Sequence, residues 1–167
     1  QKVHTQGTHS LPKEDSVWRE LDASTSSDAL LMNIFCYPRV TKNRELALCL
    51  GTEIDDVPQL GFMPRVPLVR DIIERTEVDM KLGRVLFEAK LTETDFQIQS
   101  PEIVEQYRDL EEVFDCRKLP RRKEQYVSYQ LLRNVLAAFA LDLDFCVLLD
   151  ARRPDLLEQW ELRNADP

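Results

Sequence analysis

Apolar and polar positions follow no sustained period over residues 1 to 24, which read as a polar arm, disordered or packing late, that carries little function. The pattern changes at Ser27, a good N-cap. Behind it Ala29, Leu30, Met32, Ile34 and Phe35 are apolar almost all round and predict a buried helix over residues 28 to 36, stopped before Pro38. A second helix is predicted over 41 to 50, with Leu46, Leu48, Cys49 and Leu50 inward and Gly51 just past its end. Pro58, Pro64, Pro67 and Gly61 then mark a long connection with room for a strand at its end.

Residues 69 to 80 and 84 to 91 are rich in β-branched and apolar side chains around a Lys-Leu-Gly corner and predict a strand hairpin, followed by a polar loop over 92 to 100. Ser100-Pro101-Glu102 is a helix start, behind which Ile103, Val104, Tyr107, Leu110, Val113 and Phe114 recur at helical spacing. A longer helix is predicted over 124 to 141 from the stripe Val127, Leu131, Leu132, Val135, Leu136 and Phe139. Residues 145 to 149 suit a short buried strand, and Pro154 opens a terminal helix with Leu156, Leu157 and Trp160. This order, without internal repeats, predicts an α/β (α+β) domain over residues 25 to 167, a small mixed central sheet flanked by helices.

A length of 167 residues and 43% hydrophobic content suit one domain with a sizeable core. The formal charge of -8 argues against a surface that coats nucleic acid, so a polyanion must be met by a local patch. The basic run RKLPRRK at 117 to 123, with Arg121, Arg122 and Lys123, is either such a DNA-binding patch or a solvated loop. Cys36, Cys49, Cys116 and Cys146 are widely separated, make no C-x-x-C pair and no cluster with His4 or His9, and predict reduced core thiols rather than zinc, in a cytoplasmic protein. No stretch approaches the roughly 20 apolar residues that span a bilayer and no signal peptide opens the chain, so no membrane partner is expected. The chain begins at Gln1 rather than methionine, as a fragment would. Trp18 and Trp160 read as packing residues.

The hairpin holds Glu77, Asp79, Glu88 and Lys90, groups that are costly to bury unpaired. With Leu82-Gly83 as the corner of a two-residue loop, Asp79 faces Leu86 and Glu77 faces Glu88, and the period of two gathers all four groups on one face. A three-residue loop would turn Glu88 and Lys90 away. Three converging carboxylates repel one another unless a cation sits among them, and hard oxygen donors select Mg2+ or Mn2+ over zinc. Such a centre activates water and stabilises phosphoryl charge while the lysine positions water or neutralises phosphate, which makes phosphodiester hydrolysis the expected chemistry.

These residues resemble the PD-(D/E)XK nuclease superfamily, the restriction-endonuclease-like fold, whose signature is an aspartate on one strand and a [D/E]-x-K tripeptide on the next, here Asp79 and Glu88-Ala89-Lys90. NIF in the first helix, RTEVD before the hairpin, EAKLTETDF after it and YQLLRN at 129 to 134 are similar to one bacterial restriction-endonuclease-like group, over most of residues 27 to 160. The PD dipeptide is absent, since Val78 precedes Asp79. The resemblance implies Asp79 and Glu88 as catalytic metal ligands, the Ala89 carbonyl as a further ligand and Lys90 as the catalytic water-orienting or phosphate-contacting group. It implies Glu45 as an additional metal-binding acid and Gln130 in a supporting place, while Glu77 reads as a supporting or surface acid rather than a ligand. Arg133 and Asn134 stand near Gln130 at helical spacing and face either the site or the sheet edge. The implied activity is a Mg2+-dependent endonuclease acting on DNA, with Mn2+ as substitute, of restriction or repair type. Cutting both strands would call for a homodimer.

Two alternatives stay open on the sequence: a nuclease-like fold without catalysis that binds DNA or protein, and an ordinary α/β domain whose hairpin charges are solvated. A competing frame, Asp71 with Asp79-Met80-Lys81, also fits the signature. The later frame is preferred because Lys90 lies inside a strand pattern and Lys81 at the corner. Glu45 reads equally as a solvated acid at a helix start.

Overall fold

Six consecutive side chains, in the strand Val85–Lys90, are all buried, as expected of a strand covered on both faces. The computed structural model describes residues 26 to 164 apart from positions 55 and 94, without the side chains of 161 to 164; the polar arm over 1 to 24 lies outside the described residues. Helices α1 (Ser27–Phe35) and α2 (Arg44–Leu50) precede strands β1 (Gln59–Phe62), β2 (Arg65–Pro67), β3 (Ile73–Arg75), β4 (Val78–Leu82) and β5 (Val85–Lys90). Then come β6 (Ile98–Gln99), short helices α3 (Pro101–Val104) and α4 (Leu110–Val113), β7 (Arg121–Arg122), β8 (Gln125–Val127), α5 (Tyr129–Ala140), β9 (Asp144–Leu149) and α6 (Pro154–Asn164).

The central sheet has the order β1-β4-β5-β9, with β1, β4 and β5 antiparallel and β9 parallel to β5, so it is the mixed sheet that the pattern predicts. On one face Leu31 and Phe35 of α1 pack with Met80, Leu82, Val85, Phe87 and Ala89. The Phe35 and Phe87 rings lie 5.0 Å apart. On the other, Leu132, Leu136 and Ala137 of α5 pack with Val78 and Leu86. Each fully buried Leu or Phe contributes about 1.5–3 kcal/mol, so the two helices clamp the strands from both sides. Leu156 of α6 joins Phe96 and Leu131 in a third cluster, with Trp160 edge-on to Phe145 at 6.0 Å. Trp160 is thus a packing residue.

Several local expectations change. The cap of α1 is Ser26, whose extended backbone lets its hydroxyl accept from Ala29 N at 3.1 Å. The second helix starts only at Arg44, capped by Asn43, and Leu48 and Cys49 face outward. The proline-rich connection holds two strands, β1 and β2. The stripe over 103 to 114 is right about burial at Val104, Tyr107 and Leu110, but the helix breaks. There the backbone of Gln106 and Arg108 bonds to Val69 and Pro67 beside β2, which competes with helical pairing. Residues 124 to 127 turn and enter β8, because Lys123 and Glu124 both take positive φ in a tight hairpin turn, and Phe139 is exposed at the far end of α5. All four cysteines are free thiols as expected, yet none is fully buried, and Cys36 and Cys49 are exposed.

Candidate active site

The turn between β4 and β5 is Gly83-Arg84, one residue later than the sequence pattern suggests: Leu82 pairs with Val85, Lys81 with Leu86 and Met80 with Phe87. Gly83 has φ 53, a left-handed conformation that suits glycine at the first loop position. The register therefore moves by two residues, and a shift of two preserves faces. Its continuation sets Asp79 opposite Glu88, the two acids of the signature, instead of opposite Leu86.

Pairing ends at Met80 and Phe87. On its other side β4 stays paired with β1 as far as Val78, opposite Phe62, and its buried and half-buried positions alternate from Val78 to Leu82. Where the pairing with β5 ends, the Asp79 carboxylate takes the place of a ladder partner: Ala89 N–H donates to Asp79 Oδ2 at 2.8 Å. In an extended strand the N–H and C=O of one residue point to the same side, so the Ala89 carbonyl also faces the gap.

Glu88 and Lys90 follow Asp79 into this region. Lys90 Nζ lies 3.0 Å from Glu88 Oε1, with both side chains more than nine-tenths buried. The contact is ionic without hydrogen-bond alignment, so Oε1 keeps its hydrogen-bonding capacity inside the protein. The other oxygen, Oε2, accepts from Asn134 Nδ2 of α5 at 2.7 Å. The Lys90 ammonium also stands 5.9 Å from the centre of the Phe96 ring.

Burial first, and the negative charge of Glu88 second, push the Asp79 carboxyl up to about 7; the Ala89 N–H and Lys90 oppose the rise and Asp28 adds to it. Burial alone would raise the neighbouring Glu93 too. The backbone N–H groups of Glu93, Leu91 and Thr92, together with Lys90, outweigh it and hold that carboxyl below its usual range. The site thus contains an acid that resists ionisation beside a lysine already shared between carboxylates.

The four charged groups of the predicted hairpin face divide. Asp79, Glu88 and Lys90 come together, but Glu77 is exposed just before β4, and its backbone carbonyl accepts from Arg133 Nη2 at 3.3 Å. The expected convergence of three carboxylates is therefore reduced to two, because Glu77 lies outside β4, which begins at Val78, and is exposed. Among the described residues no three His, Cys, Asp or Glu side chains form a group able to hold a metal. Glu45 is exposed in the first turn of α2. The acid from the early helices whose charge acts on Asp79 is Asp28, in the first turn of α1, which the sequence reading passed over as part of a helix start.

Gln130 is half-buried on α5; its backbone N–H donates to Phe96 O at 2.9 Å and its side-chain Oε1 is buried with no partner. Asn134 makes the direct contact instead, and its signal in the sequence is a second amide one turn after Gln130 on the same helix face. Lys81 is not at the corner: it is half-buried in β4, with its ammonium 5.9 Å from the Phe62 ring centre, and Asp71 is exposed. In the basic run, Arg121 stacks 4.2 Å from the Tyr126 ring centre, hydrogen-bonds the Tyr126 hydroxyl and pairs with Glu105 at 3.5 Å. Arg122 and Lys123 are exposed at the β7–β8 turn.

The donor set fits a hard divalent cation. The charges of Asp79 and Glu88 act on each other, strand geometry turns the Ala89 carbonyl to the side of its N–H, and Glu88 Oε1 is a buried acceptor with Lys90 at 3.0 Å and no hydrogen bond. A cation there would relieve the repulsion that raises Asp79. No helix among the described residues is long and apolar enough to cross a membrane.

A family model described as REase-ARP, Restriction Endonuclease associating with ARP, matches residues 1–166. Comparison with curated proteins and with solved structures gives no match.

Proposed function

The chain belongs to the REase-ARP family, whose description is Restriction Endonuclease associating with ARP, and from that premise we propose that it is a metal-dependent endonuclease of the PD-(D/E)XK type that hydrolyses DNA phosphodiester bonds. The observation that carries this reading is the Asp79 carboxylate bonded to Ala89 N–H opposite a Glu88 that is held by Lys90 and Asn134.

In this reading Asp79, Glu88 and the Ala89 carbonyl would hold Mg2+, with Mn2+ as substitute, and Glu45 is left outside the set. The bound ion would supply a water of lowered pKa and neutralise phosphoryl charge. Lys90 has three N–H donors; one side meets Glu88, and the others orient the attacking water or the phosphate oxygen. Hydrolysis forms one P–O bond from water and breaks one ester P–O bond; the water gives up a proton and the leaving oxygen gains one. Arg122 and Lys123 contact flanking phosphates, whereas Arg121 supports the hairpin from within.

A supercoiled plasmid incubated with the protein and Mg2+ should be nicked or cut, and EDTA or Asp79→Asn should abolish cleavage. Equal cleavage by Asp79→Asn would refute the site. A second reading, a DNA- or protein-binding module without catalysis, draws support from the net charge of -8 and from the association in the family description. It predicts binding without cleavage and no thermal shift with Mg2+.

A further inference from the structure

Two consecutive residues of α5 reach both strands that carry the acids. Asn134, fully buried, donates from Nδ2 to Glu88 Oε2 at 2.7 Å and so grips β5. Arg133 reaches the other way, donating from Nη2 to the Glu77 carbonyl at 3.3 Å, next to the first residue of β4. Its Nε donates to Asn134 Oδ1 at 3.4 Å, which fixes the amide so that its NH2 group faces Glu88. The guanidinium lies 5.7 Å from the Tyr129 ring centre. The Tyr129 hydroxyl is 2.8 Å from that of Tyr107, which in turn bonds Glu74 of β3.

These bonds cross the stretch where the β4–β5 ladder has ended, beyond Met80 and Phe87. We infer that Arg133 and Asn134 form a strap from α5 that sets the width of the gap between β4 and β5, and with it the placing of the Asp79 and Glu88 carboxylates. Both are positioning residues. The catalytic consequence rests on the nuclease reading above; the mechanical one does not. An arginine beside an acidic site is more often read as a phosphate contact, and a buried asparagine as a satisfied core residue. Here two of the guanidinium nitrogens are engaged by protein acceptors, and the amide is given to an acid of the signature rather than to helix backbone.

Hydrogen exchange of backbone amides, followed by NMR on the full chain without added metal, tests the strap. Ala89 N–H, bonded to Asp79, reports the gap; Phe87 N–H reports the paired ladder. In Asn134→Leu and Arg133→Lys, Ala89 should exchange at least about tenfold faster while Phe87 changes by less than about twofold. Cleavage should lose roughly 10–100-fold in kcat with KM for DNA unchanged, as for other residues that orient metal ligands. Arg133→Lys keeps the charge but loses the fork, and at a half-exposed position it decides the matter if Asn134→Leu does not fold. Unchanged Ala89 exchange in Arg133→Lys, or an effect confined to KM, overturns the strap. Faster Ala89 exchange in a protein whose wild type cuts no DNA refutes the nuclease reading and upholds the strap.

Discussion

Asp79 accepts a hydrogen bond from Ala89 N–H at 2.8 Å, so a side chain replaces the strand partner where β4 leaves β5. That single bond brings an acid of one strand to the tripeptide of the next.

Asp79 has a folded pKa of about 7 against 3.8 for the free side chain, so between these values the folded chain holds the proton more tightly than the unfolded one. Stability from this group is greatest below the unfolded value and is lost as pH rises through about 7. Thermal unfolding without metal should show Tm falling across this window, and Asp79→Asn, which keeps the acceptor for Ala89 N–H, should flatten the profile. If the proposed site takes Mg2+, the ion would bind the ionised form and should raise Tm more at about pH 8 than at about pH 5.

Lys90→Ala leaves Glu88 buried beside Asn134 without its cation. Denaturant unfolding should show a loss of about 3 kcal/mol, and cleavage should disappear. The double variant Lys90→Met with Glu88→Gln should recover most of the stability and none of the cleavage. Lys81→Ala should keep cleavage, because its ammonium sits by Phe62 of β1; loss of cleavage on Lys81 replacement alone would favour the frame that uses Asp71.

The hairpin residues should separate by role. Arg122→Ala and Lys123→Ala should weaken DNA binding and each lower the salt slope by about 1, measured by fluorescence anisotropy over a salt series. Arg121→Ala should instead lower Tm, because its guanidinium lies on Tyr126 and pairs with Glu105.

Glu45→Ala should leave the Mg2+ dependence of cleavage within about twofold of wild type, since an exposed acid at a helix start contributes mainly through the helix dipole. Asp28→Asn should lower the Asp79 pKa, because it removes a negative charge that raises it; NMR titration of the Asp79 carboxyl reads this directly.

The acids and the lysine were legible in the sequence because a period of two survives a register error of two: the corner lay at Gly83-Arg84 rather than Leu82-Gly83, and Asp79 still met Glu88. Glu77 was misplaced because alternation holds only inside a strand, and β4 begins one residue later, at Val78, leaving Glu77 exposed. The parallel strand β9 was visible as an apolar run, but β8 was hidden at the start of a helical stripe and β7 in the basic run before it. Positive φ at Lys123, Glu124 and Ser128 has no marker in residues of those types. The resemblance put Gln130 ahead of Asn134, one turn further along α5; only the packing of α5 on β5 shows that Asn134 is the amide that reaches Glu88.

The most direct test is anomalous diffraction from crystals soaked in Mn2+. A peak bonded to Asp79, Glu88 and the Ala89 carbonyl, removed by Asp79→Asn, is the predicted result. A protein that cuts DNA with Mn2+ while the ion lies elsewhere and this gap stays without one would contradict the account.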